Sequence, residues 1–495
     1  MSQPAAARPP DAPSLTTRAI RGVAWTLPTS LAARGIGLVG TLLLARYVSP
    51  AEYGEVSAAF ILTLTANSVT TFGVGIYLVT HRELTRADAF HATCWFLATG
   101  VAALALVWGL SAPLGAWLGA PHLTRFMPVL VLGALLDRIA SVPERMLVRE
   151  LRFGWLSVAR TAAELSYTGV SLGLAVLGDG AMAIAWGNLV RSALRFVAIV
   201  PAPAWRSWLE PHRLRLSTLG AIVSHGVKVS LTFIATFAMR RWDNLLVSRY
   251  FGPVVMGGYN YAYNLADTPA VAIGEQMSDV ISASFPHVDR ERRATALVRS
   301  CTMISVVMLP LAFGLAAVAH TVVQTFLDQR WAEVGGMLAI LAVLSATRPM
   351  AHVLQAYFYA CQRPGVVLWM EWVSLAAIVA GIATVGRLGV GWTCGAVGTV
   401  FVLRSLIALW MAHRLDGIPI SRFLRPLLVP LLTCLAMVAA IAAARPGLAH
   451  LAPAHRLVVE VALGAAVYLG GALVAFPATA RDFVALVRSA LSSRT

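Results

Sequence analysis

The sequence predicts an all-α polytopic membrane protein of about 14 transmembrane helices. They form two six-helix lobes related by a pseudo-two-fold axis along the membrane normal, plus a C-terminal helix pair. Three observations carry this. Hydrophobic residues make up 58% of the chain and charged residues 13%, against about 25% charged in ordinary soluble domains. The apolar residues gather into runs of about 20, the length of helix that crosses a hydrocarbon core. Finally, "LLLARYVSPAEYG" at Leu42–Gly54 returns as "LLVSRYFGPVVMG" at Leu245–Gly257, with Arg46, Tyr47, Pro50 and Gly54 in step with Arg249, Tyr250, Pro253 and Gly257. The runs are continuous and do not alternate with period two, so helices and not barrel strands are the spanning element.

In chain order, residues 1–22 are Pro/Ala-rich with no apolar core, which predicts a cytoplasmic tail and no cleavable signal peptide. The spans then fall at roughly 23–44, 55–79, 91–118, 126–146, 157–177 and 181–200, which with the following loop make an N-lobe over 23–218. A second set, roughly 219–247, 254–284, 297–327, 334–358, 364–386 and 389–412, makes a C-lobe over 219–418. The last two, roughly 426–444 and 456–476, belong to a helix pair within 419–476, and residues 477–495 form a second cytoplasmic tail. Connections are short. An even number of spans separates the two Arg-Tyr-Pro-Gly segments, so the halves share one orientation, as in parallel-repeat transporters. Pro and Gly are expected to shape tight helix–helix turns there, with Arg and Tyr at headgroup level.

Charge sets the orientation. The net charge is +16, and Lys228 is the sole lysine. In a soluble protein such a balance would suggest nucleic acid; here basic loops explain it, and no nucleic-acid partner is expected. Placing the N-terminus in the cytoplasm puts Arg82, Arg86, Arg145, Arg149, Arg152, Arg206, Arg213, Arg215, Arg290, Arg292, Arg293, Arg414, Arg422 and Arg425 inside. Only scattered arginines, among them Arg46, Arg125, Arg249, Arg330 and Arg387, remain outside. The positive-inside rule therefore predicts both termini in the cytoplasm. The Arg- and Ala-rich usage suggests a bacterial chain, hence the bacterial cytoplasmic (inner) membrane.

Polar residues inside spans are costly and face an interior. In the first span Thr26, Ser30, Arg34, Gly37 and Thr41 form one stripe; in the seventh, Lys228, Thr232, Thr236, Arg240 and Asp243 take the matching face. Arg241 lies about 100° off that stripe, which places it away from the lumen. The eighth span aligns Asn260, Asn264, Asp267, Glu275 and Ser278 beside Tyr259, Tyr261 and Tyr263. The fifth carries Ser157, Thr161, Glu164, Thr168 and Ser171, and the tenth Ser345, Arg348, His352, Gln355 and Tyr359. The eleventh offers Glu371 with Ser374, and the second Thr63, Asn67 and Thr71. Plainer readings stand beside these: Arg240 and Asp243 fit an internal i,i+3 ion pair. Asp137 and Arg138 fit neighbours in their own bundle, and Arg191 and Arg195 fit snorkelling to headgroups. His352 fits a packed, hydrogen-bonded ring.

Cys94, Cys301, Cys361, Cys394 and Cys434 show no CxxC or Cys/His cluster, so neither a disulfide framework nor a metal site is expected. No Walker A, HExxH or GxSxG pattern is present, and neither an enzyme nor a cofactor is predicted.

The stretch from Arg21 to Val79, "RGVAWTLPTSLAARGIGLVGTLLLARYVSPAEYGEVSAAFILTLTANSVTTFGVGIYLV", resembles the opening of bacterial polysaccharide flippases. These form the polysaccharide-transporter branch of the multidrug/oligosaccharidyl-lipid/polysaccharide exporter superfamily. The likeness rests on Trp25, Arg34 in mid-helix, "LARYVSPAEYG", and "FGVG" at Phe72–Gly75. It implies two lobes around a central cavity and transport of an oligosaccharide on a polyprenyl pyrophosphate carrier from the inner to the outer leaflet. It implies as partners the lipid bilayer, glycosyltransferases and a polymerase of the same pathway, and a monomeric state. On that reading Arg34, Arg240, Arg348, Asn264, Asp267, Tyr263 and Asn67 bind substrate, while Glu164, Asp267, Glu371 and His352 are candidates for ion coupling. Arginines suit phosphate and acidic sugars. The rival within the superfamily is a cation-coupled drug exporter, which typically uses buried acids; an arginine and no acid in the first span counts against it. A membrane polysaccharide polymerase is a third reading, weakened by short loops.

Overall fold

The computed structural model describes residues 35–475 apart from 38, 72–73, 75–77, 79–84, 151, 202–209, 211, 213–215 and 286–289. Helices occupy the described part of every predicted span, and no strand occurs among the described residues. In chain order they are α1 (Gly35–Leu44), α2 (Pro50–Val69) and α3 (Arg86–Gly109, extended by Ser111–Leu118). Next come α4 (Leu123–Arg149), α5 (Phe153–Val176) and α6 (Met182–Ile199). Leu216–Ser284 is one helical run broken at Gly252, giving arms α7 (216–251) and α8 (253–284). Then follow α9 (Arg290–Phe326), α10 (Val334–Ser345 continued by Arg348–Ala360), α11 (Pro364–Thr384) and α12 (Val390–Asp416). The terminal pair is α13 (Ile420–Ala444) and α14 (Pro453–Ala475).

Nine helices among the described residues are long and apolar enough to cross a membrane, and the chain is a multi-pass membrane protein. The helices outside that set are the described part of α1, α2, α5 and the α7–α8 run. These carry most of the polar stripes read from the sequence; those of the tenth and eleventh spans lie on α10 and α11. Large apolar side chains face outward on the bundle, from Trp108, Trp186 and Trp392 to Val474, a surface that only lipid covers without penalty.

The repeated segments behave differently from the sequence expectation. The turn-making positions are one residue before each proline. Ser49 caps α2, accepting from the Glu52 backbone while Glu52 reaches back, with Pro50 in the first turn. Gly252, at φ +81°, breaks the second run just before Pro253. Gly54 and Gly257 lie inside helices and serve another purpose, a close contact between α2 and α8. A Cβ on Gly54 would overlap the Pro253 carbonyl oxygen and come within 3.1 Å of the Gly257 nitrogen. A Cβ on Gly257 would overlap the Pro50 carbonyl oxygen and come within 3.1 Å of the Gly54 nitrogen. Such reciprocity is the signature of a contact on a two-fold axis.

The cores are distributed unevenly along the bundle. At the end bearing the Arg-Tyr-Pro-Gly segments, one continuous hydrophobic core draws on both halves of the chain, joining Val48, Ile61 and Met127 to Val247, Trp331 and Val397. At the opposite end the described buried residues fall into two clusters. Val74, Leu78, Phe96, Leu147 and Ile199 form one cluster from the first half, and Ile281, Leu297, Phe358 and Phe423 form another from the second. The terminal pair packs on α9 through Val318, Cys434, Met437 and Tyr468.

Polar bonds follow the same division. Trp331 donates to the Ala45 carbonyl at 2.9 Å, Tyr261 to the Thr41 carbonyl at 2.9 Å and Ser248 to the Leu118 carbonyl at 2.9 Å. Tyr53, Tyr261 and Trp331 stack there with ring centroids 5.0–5.9 Å apart. In the adjoining α9–α10 turn, Arg330 donates its guanidinium and backbone N–H to Asp328, holding that carboxyl below the usual carboxylate range. Two further arginines, Arg445 and Arg456, both donate to the fully buried Glu460.

Candidate functional site

Between the halves lie two adjoining cavities of about 360 Å³ and 200 Å³. They share the walls Thr41, Tyr53, Tyr167, Arg241 and Asn264, so they form one central chamber with two recesses. The larger recess adds Gly37, Glu164, Arg240, Tyr263, Asp267 and Thr268, and the smaller adds Ser57, Phe60, Asn188, Arg191 and Asn260. The walls come mainly from α1, α2, α5, α7 and α8. The helices that fall short of simple membrane hydropathy are therefore the ones that build the chamber.

The sequence-predicted residues divide into those on the wall and those behind it. Of the stripe on α1, Gly37 and Thr41 line the chamber; Arg34, with Thr26 and Ser30, lies outside the described residues, as do Phe72, Gly73 and Gly75. Arg240, Tyr263, Asn264, Asp267 and Glu164 line the chamber. Asn264 donates to Asn260 one turn away.

Arg348 stands behind the wall. Its guanidinium pairs with Asp267 and is sandwiched between Phe401, 3.8 Å to the ring centre, and Tyr263, 4.6 Å. Asn67 is also behind the wall, bonded to Arg138 and to the Ala134 carbonyl. Glu371, fully buried, pairs with Arg404 on α12. His352 meets Arg240 at 2.9 Å.

Three of the plainer readings change. Arg241, placed off the lumen by its angle, lines both recesses. An arginine side chain is long enough to swing around a helix, so Cα angle under-predicts its reach. Arg191 and Arg195 do not reach away from the bundle: Arg191 pairs with Glu164 at 3.6 Å, and Arg195 bridges Asp137 at 2.8 Å and Glu144 at 2.6 Å. Arg240 and Asp243 do not pair; Asp243 accepts from Tyr259 at 2.7 Å and from Asn244 at 2.9 Å. By contrast Arg138 is satisfied by neighbours, as the plain reading holds. It donates to the carbonyls of Phe96 at 2.8 Å and Thr70 at 2.9 Å and stacks on Phe96 at 3.9 Å.

The chamber's electrostatics follow. Its two wall acids are matched: Glu164 by Arg191, Asp267 by Arg348. No acidic side chain among the described residues pairs with Arg240 or Arg241, and these two guanidiniums leave the chamber cationic. Sequence reading missed Tyr53, Tyr167, Asn188 and Arg191 as wall residues. Tyr167 was accessible to it, being three residues beyond Glu164 on the α5 stripe; Tyr53 was masked by the headgroup reading of its segment.

The sequence model of the family described as "Polysaccharide biosynthesis protein" matches residues 43–335. The succinoglycan biosynthesis transport protein ExoT of Rhizobium meliloti is 25% identical over 433 residues, covering 84% of this chain and 85% of that one. The lipopolysaccharide biosynthesis protein WzxC of Escherichia coli is 22% identical over 385 residues, covering 76% and 78%. Among solved structures, the lipid II flippase MurJ in an inward closed conformation matches with a TM-score of 0.76 at 14% identity, over 93% of this chain and 99% of that one. An inward-facing multidrug resistance MATE family transporter matches with a TM-score of 0.56 at 16% identity, over 82% and 96%. The fold is thus shared with these transporters, and with more than half its length matched the chain belongs to the polysaccharide biosynthesis protein family.

Proposed function

We propose that this chain is a flippase that moves a polyprenyl-pyrophosphate-linked oligosaccharide from the inner to the outer leaflet of the bacterial inner membrane. The observation that carries the reading is the chamber wall, on which the acids are matched while Arg240 and Arg241 have no acidic partner among the described residues. A half-buried cationic wall favours a phosphate or acidic sugar through charge-assisted hydrogen bonds. The flanking Tyr53, Tyr167, Asn188 and Asn264 suit sugar rings and hydroxyls by stacking and hydrogen bonding. A cationic drug would meet the wrong sign of charge, which disfavours the exporter alternative.

Transport proceeds by alternating access between lobes at 23–218 and 219–418. The reciprocal Gly54–Gly257 contact supports that division, and the positive-inside rule puts the shared core on the outer side. Among the described residues the cores are joined at the outer end and fall into two clusters at the inner end, which supports an inward-facing arrangement. The test is where lipid-linked oligosaccharide collects when the protein is lost. Accumulation on the cytoplasmic leaflet, reversed by the native chain and not by Arg241→Ala, is the expected result; accumulation on the outer leaflet would instead assign a polymerisation step.

A further inference from the structure

Arg240 reaches the chamber, yet its described polar partner is the Nε2 atom of His352, 2.9 Å away on α10. A guanidinium has donors and no acceptor, so Nε2 must offer a lone pair, and the ring is neutral with its proton on Nδ1. The seat for that ring is made by Gly274 on α8, where a Cβ would come within 2.9 Å of His352 Cδ2. The bond is therefore built, and it is conditional. A proton on Nε2 would set an imidazolium against a guanidinium.

Among the described residues, the charged groups around His352 are already committed and do not absorb that proton's charge. On α8, Asp267 is committed to Arg348, which belongs to the imidazole's own helix. On α12, Arg404 is committed to Glu371 of α11. On α7, Arg240 is the group facing the ring. A second positive charge here is balanced when an anion occupies the chamber. The converse also holds, because a neutral imidazole is a weak partner that a phosphate oxygen outcompetes for Arg240.

Resting on the flippase reading, we propose that His352 makes anion binding proton-linked: the substrate's diphosphate draws Arg240 off His352, and the freed imidazole takes up a proton beside it. His352 is thus a positioning residue acting through Arg240. The proton also lowers the net charge that the chamber must hold away from water. By linkage, each ligand tightens the other to the same degree.

The test uses the full chain in detergent or nanodiscs, with farnesyl diphosphate as probe, titrated calorimetrically at about pH 5.5, 6.5 and 7.5, a range bracketing the ordinary histidine pKa. His352→Gln keeps an acceptor for Arg240 and cannot take the proton. The native protein should gain affinity as pH falls by up to about tenfold per pH unit more than His352→Gln does, the limit for one linked proton. Titrations in buffers of different ionisation enthalpy should show up to about one more proton taken up by the native protein than by the variant. Equal pH dependence and equal proton uptake in the two proteins would overturn the proposal and leave the diphosphate reading intact. Should native protein bind no farnesyl diphosphate at any pH, the diphosphate reading fails and the linkage with it. If His352→Gln does not fold, native proton uptake decides: uptake no greater than the probe's own titration supplies overturns the proposal.

Discussion

Gly54 and Gly257 press backbone to backbone, each occupying the space where the other's helix would meet a side chain. They are matching positions of the repeated segment, so the internal duplication contacts itself at the end where the two halves share a core. An outward-facing state has to part this contact. Gly54→Val should overpack it by about 1–3 kcal/mol, enough to shift a two-state equilibrium by roughly 5- to 150-fold. In a background lacking the native cysteines, a cysteine at Ala59, buried in the shared core, should then react faster with an impermeant maleimide from outside. Gly257→Ala should act in the same direction. Unchanged labelling in both variants, with normal membrane insertion, would show that the contact does not hold this end closed.

Arg138 is a brace and predicts a stability effect. No acidic side chain among the described residues pairs with it, and its fork satisfies the Asn67 and Thr70 carbonyls where α2 ends, together with Phe96 on α3. Gly100 leaves room for it, since a Cβ there would overlap the guanidinium. Arg138→Ala should destabilise the protein by about 3 kcal/mol or more, because several buried acceptors lose a charged donor together. Arg138→Lys should rescue little, having a point charge in place of a planar fork. Thermal unfolding in detergent checks both, and Gly100→Ala should unfold early as well.

Glu371 and Arg404 form a buried pair between α11 and α12. If the pair is structural, Glu371→Ala should cost roughly 3–5 kcal/mol by stranding the arginine, while the double change Glu371→Leu with Arg404→Leu should recover most of it. A double-mutant cycle on unfolding midpoints measures the coupling. Export restored in the double variant would remove Glu371 from the ion-coupling candidates; export still absent despite restored stability would return it to them.

These residues show what a linear sequence discloses. Spans and repeat were legible because membrane length acts on every helix in the same way, and lipid contact marks all but those that wall the chamber. The α8 stripe was legible for a related reason: Asn264 and Asp267 share one face of one helix, and that face meets the chamber. Arg348 and Asn67 satisfy the same stripe test and still lie behind the wall, because a helix in a lobe has polar neighbours within the lobe as well as the chamber. Only packing between distant helices, such as Phe401 against Arg348, separates the two cases. Arg241 failed the test for the opposite reason. Its Cα points aside and its long side chain does not.

Arg241 and Arg348 should accordingly fail in different ways. Arg241 lines both recesses and lacks an acidic partner among the described residues. Its loss removes a charge-assisted contact worth roughly 1.5–3 kcal/mol, about a tenfold or greater fall in polymer export. Arg241→Lys should recover part of that, since a point charge still attracts phosphate. Arg348 works through Asp267 and lies flat between two rings. Arg348→Lys should therefore rescue poorly, because an ammonium cannot fill the sandwich. Arg348→Ala should also expose an unmatched Asp267 carboxylate to an anionic substrate, repelling it. Adding Asp267→Ala should relieve that repulsion and raise export above the single variant. Export normalised to protein level in the membrane separates the cases. A double variant no better than Arg348→Ala would mean that Arg348 contacts the substrate directly, and the wall drawn between Arg241 and Arg348 would have to move.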